Sequence, residues 1–233
     1  VVSYTASDKP PILINGGKAG LCIDIVEALN QIQNQYNFKF VTYPAKRLYL
    51  YFDNPNKFDM LIFYNLNWVG KFAPLFAESV PLTYSREVLI SLQKKGRTQQ
   101  FFEQIGKVPT VGVRGFHYAF VDFVLDEDIL ANKYKMTLVK DELTVIDMIV
   151  KQRAEIGLVE DNTLAYYRVS QQLEKNTFLV SNKPDSELDT SFLLRKTSPI
   201  SSIQMNSYLQ QLKDQGLLAK IYAKYGLIPP ENP

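Results

Sequence analysis

Two apolar runs in the 233-residue sequence are each followed directly by side chains that can bind a small molecule. Residues 60–63 (MLIF) lead into residues 64–68 (YNLNW), and residues 156–159 (IGLV) lead into residues 160–162 (EDN). Continuous apolar runs of this length are typical of parallel strands buried on both faces. Ligands bind beyond the carboxyl ends of such strands in open α/β sheets. The residues predicted to bind a ligand at these two ends are Tyr64, Asn65, Asn67, Trp68, Glu160 and Asp161.

A second interpretation of some of these residues stays open at this level. Trp68, the sole tryptophan, is equally consistent with a half-buried ring that closes the edge of a core. Glu160 and Asp161 are also in the right place to cap a helix predicted over residues 162–172.

A third candidate position follows the predicted strand 108–113. It ends in residues 114–118 (RGFHY), where a glycine turn precedes a helical pattern over residues 118–125. A helix N-terminus presents free backbone N–H groups, which suit an anion or a carboxylate. Arg114, Phe116 and His117 are therefore further candidate ligand contacts.

Composition excludes several classes of function. The net charge is +2 and the 26 basic residues are scattered, so no nucleic-acid partner is expected. Cys22 and His117 are the only residues of their types, which excludes an internal disulfide and argues against a zinc site; no metal or cofactor is predicted. There is no run of 18 apolar residues, so the chain is expected neither to span a membrane nor to carry a signal sequence. Its start at Val1 is compatible with an export signal that has been removed.

The remaining pattern predicts two α/β domains, the usual number for a chain of this length. Buried-type strands over residues 86–92 (REVLISL) and 191–195 (SFLLR) enclose a complete small domain. We expect lobe 1 to comprise residues 1–88 and 192–233, and lobe 2 residues 89–191. Two crossings make a hinge with a ligand cleft between the lobes. The other predicted elements are strands 1–5, 38–43 and 136–139 and helices 20–32, 47–52, 143–151 and 203–225, the last broken at Gly216.

Four stretches of the sequence resemble a known family. They are residues 20–25 (GLCIDI), 57–62 (KFDMLI), 112–115 (GVRG), and 192–196 (FLLRK) with the helix containing residues 212–226 (LKDQGLLAKIYAKYG). In order and spacing they are similar to the extracytoplasmic solute-binding proteins of the amino-acid-binding class, family 3, with the type II periplasmic binding fold. The resemblance covers nearly the whole chain and implies two Rossmann-like lobes that close on a small polar solute.

The resemblance also implies roles for particular residues. Lys71 lies at or next to the position of the arginine that grips the ligand α-carboxylate in the family, and lysine lacks the planar fork of that arginine. Phe116 and His117 replace small hydroxyl residues. Glu160 aligns with the carboxylate that holds the ligand ammonium group. Arg47 is an alternative source of a cation, although an arginine there can equally pair with a neighbour such as Asp59.

The function implied is capture of an amino acid or related amine, without catalysis, for delivery to the membrane permease of an ABC importer. The protein is then expected to be a periplasmic or lipid-anchored monomer. One alternative is the ligand-sensing domain of a receptor. Another is a dehydratase-like enzyme in which His117 and either Glu160 or Asp161 act as an acid/base pair.

Overall fold

The computed structural model describes residues 1–7, 9–43, 48–174 and 176–231. Arg47 and the start of the predicted helix 47–52 lie outside these residues. The regular elements in chain order are β1 (Val2–Ala6), α1 (Leu21–Ile32), β2 (Phe38–Phe40), β3 (Met60–Tyr64), β4 (Phe76–Leu92), β5 (Thr110–Val113), α2 (Glu127–Tyr134), β6 (Met136–Val139), α3 (Glu142–Val150), β7 (Ile156–Glu160), α4 (Asp161–Ser170), β8 (Phe178–Val180), β9 (Ser186–Arg195), α5 (Ser202–Asp214) and α6 (Leu217–Ala223). Short 3-10 segments occur at Tyr49–Tyr51, Leu66–Leu75, Gln99–Gln104 and Ala119–Val121.

The chain forms two compact units. The first unit combines Val1–Tyr84 with the segment from Leu188 onward, and the second unit is the continuous segment Ser85–Glu187. The chain passes from one unit to the other within β4 and returns within β9. The lobe boundaries expected from the sequence, at residues 88/89 and 191/192, remain a prediction. Across the described residues, no helix combines the length and the apolar character needed to cross a bilayer.

The first unit is built on a sheet whose strands run in the order β2-β1-β3-β9. The pairs β1/β2 and β1/β3 are parallel, and β3 pairs with β9 in antiparallel fashion. Helix α1 packs beside α5 and α6, with Leu21, Ile25 and Leu29 fully buried at helical spacing. It begins after Gly20, whose φ of 128° and closeness to the Ile12 carbonyl exclude a side chain there.

A buried arginine ties the end of β9 to the chain before β3. Arg195 is 4% exposed and donates from Nε to the Phe58 carbonyl (2.7 Å), from Nη1 to the Phe52 carbonyl (2.7 Å) and from Nη2 to the Tyr51 carbonyl (2.8 Å). Its guanidinium also lies 5.1 Å from the ring centroid of Phe76. The five N–H donors of an arginine let one side chain satisfy three separate carbonyl groups.

The second unit is built on the order β4-β7-β5-β6, with β8 paired to β4. Strand β7 is antiparallel to β4 and parallel to β5, and β5 is parallel to β6. Gly157 in β7 allows α3 to approach closely, because a Cβ there would lie 2.8 Å from a Val145 methyl group. The core of this unit includes the buried residues Val88, Val111, Val145, Ile149, Val159 and Leu164.

Several predicted elements have different extents in the structure, and one is wrong. Residues 86–92 and 191–195 are parts of the longer strands β4 and β9, and the strand predicted over residues 38–43 ends at Phe40. The helix predicted over residues 118–125 is absent. A single 3-10 turn occurs at Ala119–Val121, and the next two residues, Asp122 and Phe123, have φ of 53° and 61°. Left-handed backbone of this kind ends any helix.

Candidate functional site

The carboxyl end of β3 in the first unit is shaped by a β-bulge. Ile62 pairs with Phe192 and Tyr64 pairs with Ser191, so Phe63 is the extra residue, with a φ of 59°. A bulge re-aims the side chains that follow it. Tyr64 and the residues after it therefore leave the sheet in a direction set by Phe63.

Asn65 orders the segment that follows the bulge. Its Oδ1 accepts the Asn67 N–H at 2.9 Å, which caps the 3-10 segment Leu66–Leu75. Its Nδ2 donates to the carbonyl oxygen of Asp189 (2.9 Å) and to Oδ1 of the same residue (3.1 Å). Asn65 thus links the end of β3 to β9 and has a structural role as well as its predicted ligand-binding role.

Trp68 and Lys71 lie on the surface of the same segment. The Trp68 side chain is 44% exposed and meets the Tyr64 ring edge to face, with centroids 5.8 Å apart. The Lys71 ammonium lies 5.1 Å from the Phe72 ring centroid, and both Lys71 and Asn67 are exposed. A ring exposed to this degree fits both interpretations of Trp68, as a ligand contact and as a half-buried ring that closes the edge of a core.

Sequence reasoning missed two carboxylates in the first unit. Glu78 on β4 and Asp189 on β9 are both half-buried, and Ser191 lies beside them. Burial raises the pKa of Glu78, the Ser191 hydroxyl opposes this rise, and the charge of Asp189 adds to it. The sequence feature that could have revealed them is an acidic residue inside each of two segments that otherwise have the pattern of a strand.

In the second unit, the carboxyl end of β7 carries a cluster of three buried carboxylates. Glu160 pairs directly with Glu87 of β4, and oxygens of Glu87, Glu142 and Glu160 all lie within 4.8 Å of one another. The Glu160 backbone N–H donates to Glu142 Oε1 at 2.5 Å, and Ser85 Oγ donates to Glu160 Oε2 at 3.0 Å. Glu160 is at the N-cap position of α4, but its side chain makes no capping hydrogen bond. This acidic cluster favours a positively charged group nearby.

Asp161 lies next to this cluster and is held by an arginine. Its Oδ1 accepts the Arg86 backbone N–H at 3.1 Å and its Oδ2 accepts Arg86 Nε at 2.9 Å. The register that pairs Glu87 with Glu160 places Arg86 opposite Asp161. Asp161 is therefore engaged by Arg86, which the sequence did not identify as its partner.

The predicted residues after β5 have different surroundings from those expected. Arg114 is exposed and forms a two-bond ion pair with Glu127, at 2.8 and 3.3 Å. Because α2 begins only at Glu127, a single 3-10 turn follows the glycine turn, and the anion-binding position predicted at residues 114–118 stays a prediction. His117 is exposed, whereas Phe116 packs against the core of the second unit.

Two side chains fix the loop that carries Phe116 and His117. The buried Tyr118 hydroxyl accepts the Val113 N–H at 2.6 Å, and burial raises the pKa of this phenol. Asp185 accepts the N–H groups of Ala119 (2.6 Å) and Phe120 (2.8 Å), one with each carboxylate oxygen. Neither contact follows from local sequence, since Asp185 lies more than 60 residues away along the chain.

Comparison with known proteins finds matches among solved structures only. No protein-family model matches the chain, and no curated protein matches it by sequence. The ancestral cationic amino acid solute-binding protein AncCDT-1, also described as a precursor of cyclohexadienyl dehydratase, is similar with a TM-score of 0.70 and 17% identity over 96% of this chain and 94% of its own.

Two further structures are similar over nearly their whole length. The GluR0 ligand-binding core from Nostoc punctiforme, solved with L-glutamate, has a TM-score of 0.67 and 16% identity over 97% of this chain and 99% of its own. The second substrate-binding domain of a putative amino acid ABC transporter from Streptococcus pneumoniae has a TM-score of 0.65 and 16% identity, again over 97% and 99%.

At these identities the similarity establishes architecture. The matched chains are solute- or ligand-binding domains, and the match extends over both units of this chain. The predicted α/β fold is confirmed: the chain has the type II periplasmic binding fold.

Proposed function

We propose that this protein binds an amino acid or a related amine and releases it unchanged. The observation that carries the proposal is the position of the polar side chains, which lie at the carboxyl ends of β3 and β7. Ligands bind at such strand ends in open α/β sheets. The similarity to solute-binding domains over 96–97% of the chain supports the same proposal.

Within this proposal, Glu160 accepts the ammonium group of the solute. Glu87 and Glu142 add negative charge within 4.8 Å of Glu160, which favours a cationic group over a neutral one. Asp161 is already paired with Arg86 and stays a candidate contact of the second unit. Tyr64, Asn65, Asn67, Trp68 and Lys71 stay candidate ligand contacts on the first unit, and Arg114, Phe116 and His117 stay candidates on the second unit.

Binding without catalysis is proposed from the similarity to solute- and ligand-binding domains. His117 is exposed, and an acid/base pair of His117 with Glu160 or Asp161 stays the enzymatic alternative. The solute is proposed to pass to the permease of an ABC importer, outside the cytoplasm. A receptor ligand-binding domain would use the same binding chemistry, and the similarity to the GluR0 core keeps this second candidate.

A thermal-shift screen tests the proposal. The protein is unfolded and refolded to remove any bound solute, then heated with amino acids, polyamines and small carboxylates. A ligand at about 100 times its Kd adds about 2.7 kcal/mol, or about 5–10 °C in Tm for a chain of this size. Mass spectrometry of the recovered solute should show it unchanged. A screen without any shift, or conversion of the solute, would contradict the proposal.

A further inference from the structure

Two carboxylates of the first unit, Glu78 and Asp189, lie on adjacent strands, and neither is paired with a cation of the described residues. Glu78 projects from β4 beside β9, where the Ser79 hydroxyl accepts the Phe192 N–H at 3.0 Å. Asp189 lies three residues before Phe192 on β9 and Glu78 directly precedes Ser79 on β4, so the two carboxylates are on strands in contact, and the charge of Asp189 helps to raise the pKa of Glu78. Among the described residues, neither carboxylate forms an ion pair with a lysine or arginine. Removing a carboxylate from water costs free energy, and a cation bound beside it offsets part of that cost.

A buried hydroxyl, that of Ser191, lies beside this pair. Ser191 is fully buried, and its Oγ makes no hydrogen bond of standard geometry within the described part of the chain. It faces Glu78 closely enough to favour the ionised carboxylate. Buried hydroxyl groups are nearly always hydrogen-bonded, so the position suits a donor in addition to those of the described residues.

The surroundings of the pair favour an organic cation. Ser191 is the β9 partner of Tyr64, which contacts the exposed Trp68 ring edge to face. The Asn65 amide occupies Oδ1 of Asp189 and leaves Oδ2 for another donor. Aromatic rings next to carboxylates bind alkylammonium and guanidinium groups through cation–π attraction combined with charge-assisted hydrogen bonds.

We propose that Glu78 and Asp189 bind a cationic group of the solute, an alkylammonium or a guanidinium, with Ser191 as the supporting hydroxyl. This inference rests on the proposed function and narrows the solute class to positively charged molecules. The acidic cluster around Glu160 in the second unit independently favours the same charge. A solute held through its cationic group does not require Lys71 to bind its carboxylate.

The experiment compares the wild type with Glu78→Gln, Asp189→Asn and the control Glu27→Gln. Glu27 is an exposed residue of α1 in the same unit, so its variant removes the same charge at a distance from the pair. Methylguanidinium, putrescine and L-arginine are titrated by calorimetry and by fluorescence of Trp68, the sole tryptophan. Both site variants should weaken binding by about tenfold or more, the effect of one charge-assisted hydrogen bond, whereas the control should not.

The outcomes separate this inference from the proposed function. Equal binding of L-arginine to the wild type and both site variants would overturn the subsite and leave solute binding in place. Methylguanidinium binding that both variants lose, without binding of any amino acid, would support the subsite and contradict the amino-acid function. If Mg²⁺ displaced methylguanidinium at a lower concentration than methylguanidinium itself needs to bind, the site would be a metal site, and the proposal of an organic cation would be wrong. Failure of the wild type to bind any probe would overturn both.

Discussion

Replacing Arg195 by lysine should destabilise the first unit although it preserves the charge. The guanidinium satisfies three carbonyl groups that diverge from one another, those of Tyr51, Phe52 and Phe58. A lysine ammonium is a single point on a flexible stem and cannot reach all three. At least two of the carbonyls therefore lose their partner.

The magnitude follows from the number of orphaned groups. Each buried acceptor left without a hydrogen bond costs about 1–3 kcal/mol, so two of them give about 2–6 kcal/mol. That is a large part of a typical unfolding free energy of about 5–15 kcal/mol. For a chain of this size it lowers Tm by about 5–20 °C.

Urea denaturation followed by Trp68 fluorescence measures this effect, because the sole tryptophan belongs to the first unit. The matched control is Lys196→Met, which changes the exposed neighbour of Arg195 on the same strand end. We expect the control to stay within about 0.5 kcal/mol of the wild type. If Arg195→Lys were as stable as the control, the conclusion that the three carbonyl contacts stabilise this unit would be refuted.

Three further changes test other contacts. Asp185→Asn, with one acceptor oxygen for two N–H groups, should lower the stability of the second unit by about 1–3 kcal/mol, whereas Glu187→Gln, an exposed neighbour, should not. Tyr118→Phe keeps the ring but removes the partner of a buried N–H, and calorimetry should show a loss of about 1–3 kcal/mol. The pKa of Glu78 is raised above its ordinary 4.5, so its ionisation opposes folding. The free energy of unfolding of the wild type, relative to that of Glu78→Gln, should therefore fall as pH rises through the range just above 4.5. A difference that does not depend on pH would contradict this.

The parts of the fold that sequence could predict are those encoded by local pattern. The apolar run 60–63 is β3, and the run 156–159 lies in β7, each with its polar side chains at the carboxyl end. The recurrence of apolar residues at helical spacing likewise predicted α1, with its buried face at Leu21, Ile25 and Leu29. These features depend on residues a few positions apart in the sequence, and the periodicity of apolar residues reports that spacing.

The errors and omissions come from contacts between residues distant in sequence. Residues 118–125 are apolar at nearly every position, but the Tyr118 hydroxyl turns back to Val113 and Asp185 binds the next two N–H groups, which leaves no helix. The acidic cluster depends on the register that pairs Glu87 with Glu160. Glu78 and Asp189 come together only because residues more than 100 positions apart share one unit. No local pattern specifies such pairings.

The division of the chain has a consequence for its synthesis on the ribosome. The second unit is one continuous segment and can be complete before translation reaches residue 188. The first unit cannot, because β3 needs β9 as its antiparallel neighbour and β9 is made about 120 residues later; at about 5–20 residues per second this delay is several seconds. During that interval the nascent chain carries an open strand edge at Met60–Tyr64, apolar from residue 60 to residue 63, the kind of edge that pairs with other chains. We therefore expect this strand to be the segment that a ribosome-associated chaperone protects first.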